Sequence, residues 1–111
     1  MSDCLFCKIV EGAIPAGIVY QDDHAIAFKD INPQAPVHVL VIPRRHVPSL
    51  AELSGDACHH LLSAVNEVAR QQGVAQSGYR VVTNVGKDAQ QSVAHLHWHV
   101  LGGRELGWPP G

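Results

Sequence analysis

The 111-residue chain has no long apolar run, no block of like charge, no internal repeat, no low-complexity segment, and only three cysteines. Each absence removes a class of protein. The apolar runs fall far short of the roughly 20 residues that span a bilayer, so no membrane span is expected. Charged residues make up 16% of the chain and the formal net charge is −2. That leaves none of the polyelectrolyte character that binding long nucleic acids requires. An odd and small number of cysteines argues against a disulfide framework. The start, Met1-Ser2-Asp3-Cys4, lacks the basic and apolar regions of a signal peptide, so a cytosolic protein with reduced thiols is expected. At this length one domain, 1–111, with a modest core is expected, and association of copies would supplement such a core.

What the chain does have is histidine, eight in all, three of them in His95-Leu96-His97-Trp98-His99-Val100-Leu101. Read as a strand with a period of two, this stretch puts the three imidazoles on one face and Leu96, Trp98 and Val100 on the other. Gly102-Gly103 supplies its stop. A single metal ion is a poor occupant for the three rings. At a rise of about 3.3 Å per residue the backbones of His95 and His99 lie roughly 13 Å apart, whereas zinc holds nitrogen at about 2.0–2.1 Å. The row suits an extended anionic group, with one ring attacking and its neighbours donating to oxygens, and phosphoryl chemistry is the natural reading. Crowded imidazoles titrate as a unit, which divides the roles of nucleophile and donor.

Elsewhere the pattern predicts short strands at Ile18–Tyr20 and Ala25–Phe28 around a turn at Gln21–His24. The nearly continuous apolar run His38–Ile42 predicts a central strand ended by Pro43. Ser49 and Glu52 have capping-box spacing, and Ser54 offers a second helix start. From there Cys58, Leu61, Leu62, Val65, Val68 and Ala69 form one apolar stripe on a helix ending near Gly73, with Cys58 buried and His59 and His60 beside the stripe. Tyr79–Asn84 predicts a further strand, broken by Gly86-Lys87-Asp88. The expected fold is α+β: a five-stranded antiparallel sheet with one long and one short helix.

Several side chains keep two readings. Cys4 and Cys7 form a C-x-x-C pair that is half of a zinc site, a redox pair, or two small residues on a short helix. Asp30 is a solvated loop acid or a carboxylate holding a polar ligand group. His38 is a structural residue at a strand entrance or a donor for the triad. Arg44 and Arg45 read as solvated turn residues, and His46 as another or as a ligand for the cysteine pair. Gln90-Gln91-Ser92 is ordinary loop polarity or a binder of oxygens or a leaving group.

Together these residues resemble the histidine triad (HIT) nucleotide-binding proteins, in the Hint branch of purine nucleoside phosphoramidases. The resemblance runs from about Cys4 to Gly111. It rests on His95-x-His97-x-His99 with Val100-Leu101-Gly102-Gly103-Arg104, Asp30-Ile31-Asn32-Pro33-Gln34-Ala35-Pro36 before His38, Val41-Ile42-Pro43, Gln91-Ser92-Val93, and Trp108-Pro109-Pro110-Gly111. It implies a homodimer whose sheets join into one continuous sheet. It also implies hydrolysis of the P–N bond of purine nucleoside phosphoramidates through a nucleotidyl-histidine, releasing the nucleoside monophosphate without a catalytic cofactor. By that likeness His97 is the nucleophile, His99 and His38 assist at the phosphate, and His95 orients the nucleophile through its carbonyl. Asp30 holds the ribose, and Phe6, Ile9 and Ile31 line the base pocket. Asn84, Gln91 and Ser92 contact the phosphate or leaving group, and Trp108 approaches the partner subunit's site. Some bacterial relatives carry a structural zinc whose ligands correspond to Cys4, Cys7, His46 and His95. Where the branch commonly has glycines before the Gln-Ser pair, this chain has Ala89-Gln90, so a different backbone approach is expected there. The alternatives are a dinucleoside polyphosphate hydrolase, a nucleotide-binding regulatory module acting through protein contacts, and, most distantly, a metal-binding protein using the triad.

Overall fold

The apolar run His38–Ile42 lies at the centre of the sheet. The computed structural model describes residues 3–111, and the Met1-Ser2 start read above lies outside them. Along the chain come helix α1 (Leu5–Val10), strands β1 (Ile18–Gln21), β2 (Ala25–Lys29) and β3 (Val37–Pro43), a 3-10 turn (Leu50–Glu52), helix α2 (Gly55–Gln71), and strands β4 (Tyr79–Val82) and β5 (Trp98–Gly102). The five strands form one antiparallel sheet in the order β1-β2-β3-β5-β4. The expected α+β class and strand number hold. None of the described helices is long and apolar enough to cross a membrane.

β2 and β3 are apolar on both faces because both faces are covered. Ala25, Ala27, Val39 and Val41 join Leu61, Ala64, Val65, Val68, Leu96 and Val100 in a core under α2. Ile26, Phe28, Leu40 and Ile42 pack with Phe6 and Ile9 of α1 on the opposite face. The turn before β2 is held by Asp22, whose Oδ1 accepts from the backbone N–H groups of His24 and Ala25 at 2.7 and 2.8 Å. Arg44 is not a free turn residue. Its guanidinium donates to the Asp22 carbonyl and to Gln21, tying the end of β3 to this turn.

Two expectations for α2 fail. Cys58 is exposed and Leu62 is 51% exposed: the stripe facing the sheet runs through Leu61, Ala64, Val65, Val68 and Ala69, so that Cys58 in the first turn precedes it and Leu62 lies about 100° to its side. Ser49 caps only the 3-10 turn, accepting from the Ala51 amide and donating to Glu52. α2 starts from the second candidate, Ser54.

The histidine strand is shorter than expected. β5 begins at Trp98 instead of His95. On one side, the register Val41 to Trp98 would bring the next residues against Ile42 and Pro43, and proline offers no amide to a ladder. The backbone of residues 95–97 therefore leaves the sheet, and the Leu96 amide donates to the Val47 carbonyl. The alternation of faces survives the departure. Leu96 and Val100 lie in the core under α2, while the rings of His95 and His97 lie against Phe6 of α1 at 5.9 and 5.1 Å between centroids.

Candidate active site

The antiparallel register places Leu40 opposite His99 and His38 opposite Leu101, so His38 and His99 are diagonal neighbours on the α1 face of the sheet. His38 Nε2 and His99 Nδ1 are 2.9 Å apart, and His97 lies 5.1 Å from His99 between ring centroids. Asp30, just past β2, approaches His38 Nε2 with Oδ2 at 3.4 Å.

Backbone partners dictate which nitrogen of each neutral ring carries hydrogen. A carbonyl only accepts and an amide only donates, so a ring nitrogen facing one has no choice. His97 Nδ1 faces the carbonyl of His95 at 2.8 Å, so Nδ1 carries the hydrogen and Nε2 keeps its lone pair. His38 Nδ1 accepts from the Gln34 amide at 3.0 Å. Its Nε2–H therefore donates to His99 Nδ1, and the hydrogen of His99 sits on Nε2. That atom is buried and has no hydrogen-bond partner among the described residues. One ring thus offers a lone pair and its neighbour offers a hydrogen.

Both rings line a cavity of about 350 Å³ together with Phe6, Ile9, Asp30, Ile31 and Ser92. Phe28 and Leu40 extend its apolar wall. The sequence reading missed these two, although their alternation with Ala27 and Val39 marks them as facing α1. Asp30 is oriented by accepting the Asn32 amide at 2.8 Å. The loop carrying Asp30 and Gln34 is seated by Arg104, which donates to the Gln34 carbonyl at 2.8 Å. Gly103 passes so close that a Cβ would lie 2.9 Å from Pro36 Cβ, at a φ of +91°. A side chain does not fit there.

The second cluster lies behind the triad. His95 is wholly buried, and its Nε2–H donates to the Pro43 carbonyl at 2.9 Å. Its bare Nδ1 lies 3.3 Å from Cys4 Sγ and 3.6 Å from Cys7 Sγ. His46 Nδ1 is 3.3 Å from Cys7 Sγ. The four ligand atoms all fall within 4.8 Å of one another, a two-sulfur, two-nitrogen set that fits tetrahedral zinc. The Pro43 carbonyl is the outer partner that a metal-bound imidazole requires. Asp30, His38 and His99 also converge within this range, but a metal on His38 Nε2 would force hydrogen onto Nδ1, against the Gln34 amide. His38 and His99 are a hydrogen-bonded pair with Asp30 beside it.

The HIT domain family model matches residues 11–106. The chain belongs to the HIT family. This HIT protein is 49% identical to an uncharacterized HIT-like protein of Synechococcus elongatus, over 98% of this chain and 97% of the other. Its fold superposes on a HIT family hydrolase from Legionella pneumophila with a TM-score of 0.94 at 43% identity, covering 98% of this chain and all of that one. A histidine triad protein from Clostridium difficile gives 0.92 at 44% identity, with 96% of each chain covered.

Not every residue expected at the HIT site lines the cavity. The Gln91 amide is occupied within the protein: Oε1 accepts from the Gly86 amide, and Nε2 donates to the carbonyls of Pro48 and Val93. These bonds hold the loop that presents Ser92. Gln90 adopts φ 59°, the left-handed conformation a glycine would take at little cost. Asn84 follows β4 outside the cavity lining, and Trp108 is 81% exposed, with the Arg80 guanidinium 5.8 Å from its ring.

Burial presses the His99 ring down to about 4; His97 and His38 add to the fall and Asp30 opposes it. Burial also lowers His38, again against Asp30. An unfolded histidine protonates near 6.5, so unfolding takes up protons between pH 6.5 and 4. Stability present above this window is expected to fall as pH drops through it. Urea denaturation at pH 7, 5.5 and 4.5 checks this, with a shallower slope expected for His99→Asn. Equal stability at the three pH values would contradict it.

Proposed function

We propose that this HIT protein is a hydrolase that cleaves the P–N bond of purine nucleoside phosphoramidates through a nucleotidyl-His97 intermediate and releases the nucleoside monophosphate. The observation that carries this reading is the 2.8 Å bond from His97 Nδ1–H to the His95 carbonyl. It bares Nε2 in the cavity that His99 also lines. The description of the Legionella relative as a hydrolase supports hydrolysis.

In the first step the Nε2 lone pair bonds to the α-phosphorus, and the amine departs with the electron pair of its own P–N bond, taking up a proton from solvent. The His97 ring becomes cationic, which strengthens the Nδ1–H bond to the His95 carbonyl. His99 Nε2–H donates to a phosphoryl oxygen as charge develops there, and His38 holds His99 in the required tautomer. Water then attacks phosphorus and gives up a proton to solvent as Nε2 leaves with its electron pair. Asp30 binds the ribose hydroxyls, and Phe6, Ile9 and Ile31 take the base. Ser92 stands at the phosphate or leaving group. The purine preference rests on the resemblance, because an apolar wall accepts any flat base.

Cys4, Cys7, His46 and His95 hold a structural zinc in this reading, which would fix His95 and hence its carbonyl. Exposed Val81 on the edge strand β4 and exposed Leu62 on α2, with exposed Trp108 against Arg80 of β4, support a homodimer with a continuous sheet and Trp108 near the partner's site. A cytosolic location keeps the paired thiols reduced.

The test is release of adenosine monophosphate from an adenosine phosphoramidate, with diadenosine polyphosphate as competitor substrate. The phosphoramidate is expected to have the higher kcat/KM by at least about tenfold, or about 1.4 kcal/mol of transition-state preference. A higher value for the polyphosphate would move the assignment to a polyphosphate hydrolase. Tight nucleotide binding without turnover of either would leave a binding module.

A further inference from the structure

The backbone that carries His97 has lost its place in the sheet. β5 starts one residue later, at Trp98, and the β4 register runs only to Val82 opposite His99. Residues 95–97 are held instead by separate contacts: the Leu96 amide to Val47, the His95 ring to Pro43, and the carbonyl of His97 to one side-chain hydroxyl. That hydroxyl belongs to Thr83, whose Oγ1–H donates to the His97 oxygen at 2.9 Å. Thr83 is the first residue beyond β4, so its side chain takes over where the backbone ladder stops.

We propose that Thr83 is a positioning residue for the reaction, holding the His97 backbone so that Nε2 stays aimed at the α-phosphorus. This rests on the reading of His97 as nucleophile. Two hydrogen bonds then fix the nucleophile from its two ends. Nδ1–H to the His95 carbonyl sets the tautomer and ring rotation, and Thr83 sets the peptide from which the ring hangs. A β-branched side chain is stiff at χ1, so the hydroxyl is held in place before substrate arrives. Thr83 is half-buried and outside the lining of the nucleotide cavity, so it acts through His97 and not on the substrate. Small misplacement of a reacting group is costly, up to about a hundredfold in rate for an ångström.

The experiment compares Thr83→Val, which keeps the shape and loses the hydroxyl, with Thr83→Ser, which keeps the hydroxyl. Thr83→Val is expected to lower kcat at least about tenfold, with KM and adenosine monophosphate affinity near native, and Thr83→Ser is expected to restore most of the rate. An unchanged kcat in Thr83→Val overturns the proposal, as does a loss that falls equally on KM and nucleotide affinity. A second readout needs no turnover. Nitrogen-15 histidine spectra of the nucleotide-free protein should show one fixed His97 tautomer in the native and Thr83→Ser chains. They should show averaging in Thr83→Val, with faster amide exchange at Leu96 and His97 and no change along α2. If the native chain releases no monophosphate, the hydrolase reading fails separately. Identical His97 spectra and exchange in all three chains would overturn the positioning role itself.

Discussion

Replacing His97 by glutamine is expected to lower monophosphate release from an adenosine phosphoramidate by about four orders of magnitude or more, the usual scale for removing a nucleophile. Affinity for adenosine monophosphate should stay within about threefold, because the proposed function distributes binding over Asp30, His99 and the apolar wall, whose contacts the substitution leaves in place. Glutamine preserves bulk beside Phe6, which meets the His97 ring edge-on at 5.1 Å, so the fold should survive. The check is single-turnover kinetics together with calorimetric nucleotide titration. Substantial residual turnover, within about tenfold of native, would mean that water attacks the substrate directly and that His97 only supports it.

The second large effect concerns zinc. Four donor atoms within 4.8 Å of one another join α1, the segment after β3 and the triad segment, which are distant in sequence. A ligand that binds only the folded chain stabilises it by about 4 kcal/mol at a thousand times its dissociation constant. For a domain of this size that is about 15 °C in Tm. Stripping with a strong chelator is expected to lower Tm by about that amount, and adding back one zinc per chain should restore it. Cys4→Ser with Cys7→Ser should abolish both changes. Burial raises the Cys7 thiol, as does its bond to Cys4, so zinc uptake by the free thiols should release protons and weaken as pH falls. A chain with no bound metal after expression in zinc-supplemented medium, and with a Tm indifferent to chelator and zinc, would contradict the assignment.

Much of this was legible in residue order because it depends on local periodicity. The continuous run at His38–Ile42 announced a strand covered on both faces, and Leu61, Val65 and Val68 announced the helix that covers one of them. The alternation of His95, His97 and His99 with Leu96 and Val100 announced which face carries chemistry. What was not legible depends on partners remote in sequence. That β5 starts at Trp98 follows from Pro43 lying in the neighbouring strand's register, which no inspection of residues 95–101 reveals. The tautomers depend on three backbone groups, those of Pro43, His95 and Gln34. The task of Gln91 depends on the Pro48 carbonyl, 43 residues away. Cys58 and Leu62 were misplaced because helical spacing defines a stripe but not its edges. Leu62 lies about 100° round the helix from Leu61, past the edge of the stripe, and Cys58 lies in the first turn, ahead of the first buried residue, Leu61.

The covalent intermediate is the most direct test of the account. Native protein mixed in excess with an adenosine phosphoramidate should be quenched in alkali within the first turnover and digested, and the peptides examined by mass spectrometry. One adenylyl group is expected on the peptide containing His97, formed before free monophosphate accumulates and absent in His97→Gln. Monophosphate released at the full rate, with no adduct on His97 at any time in the turnover, would contradict it.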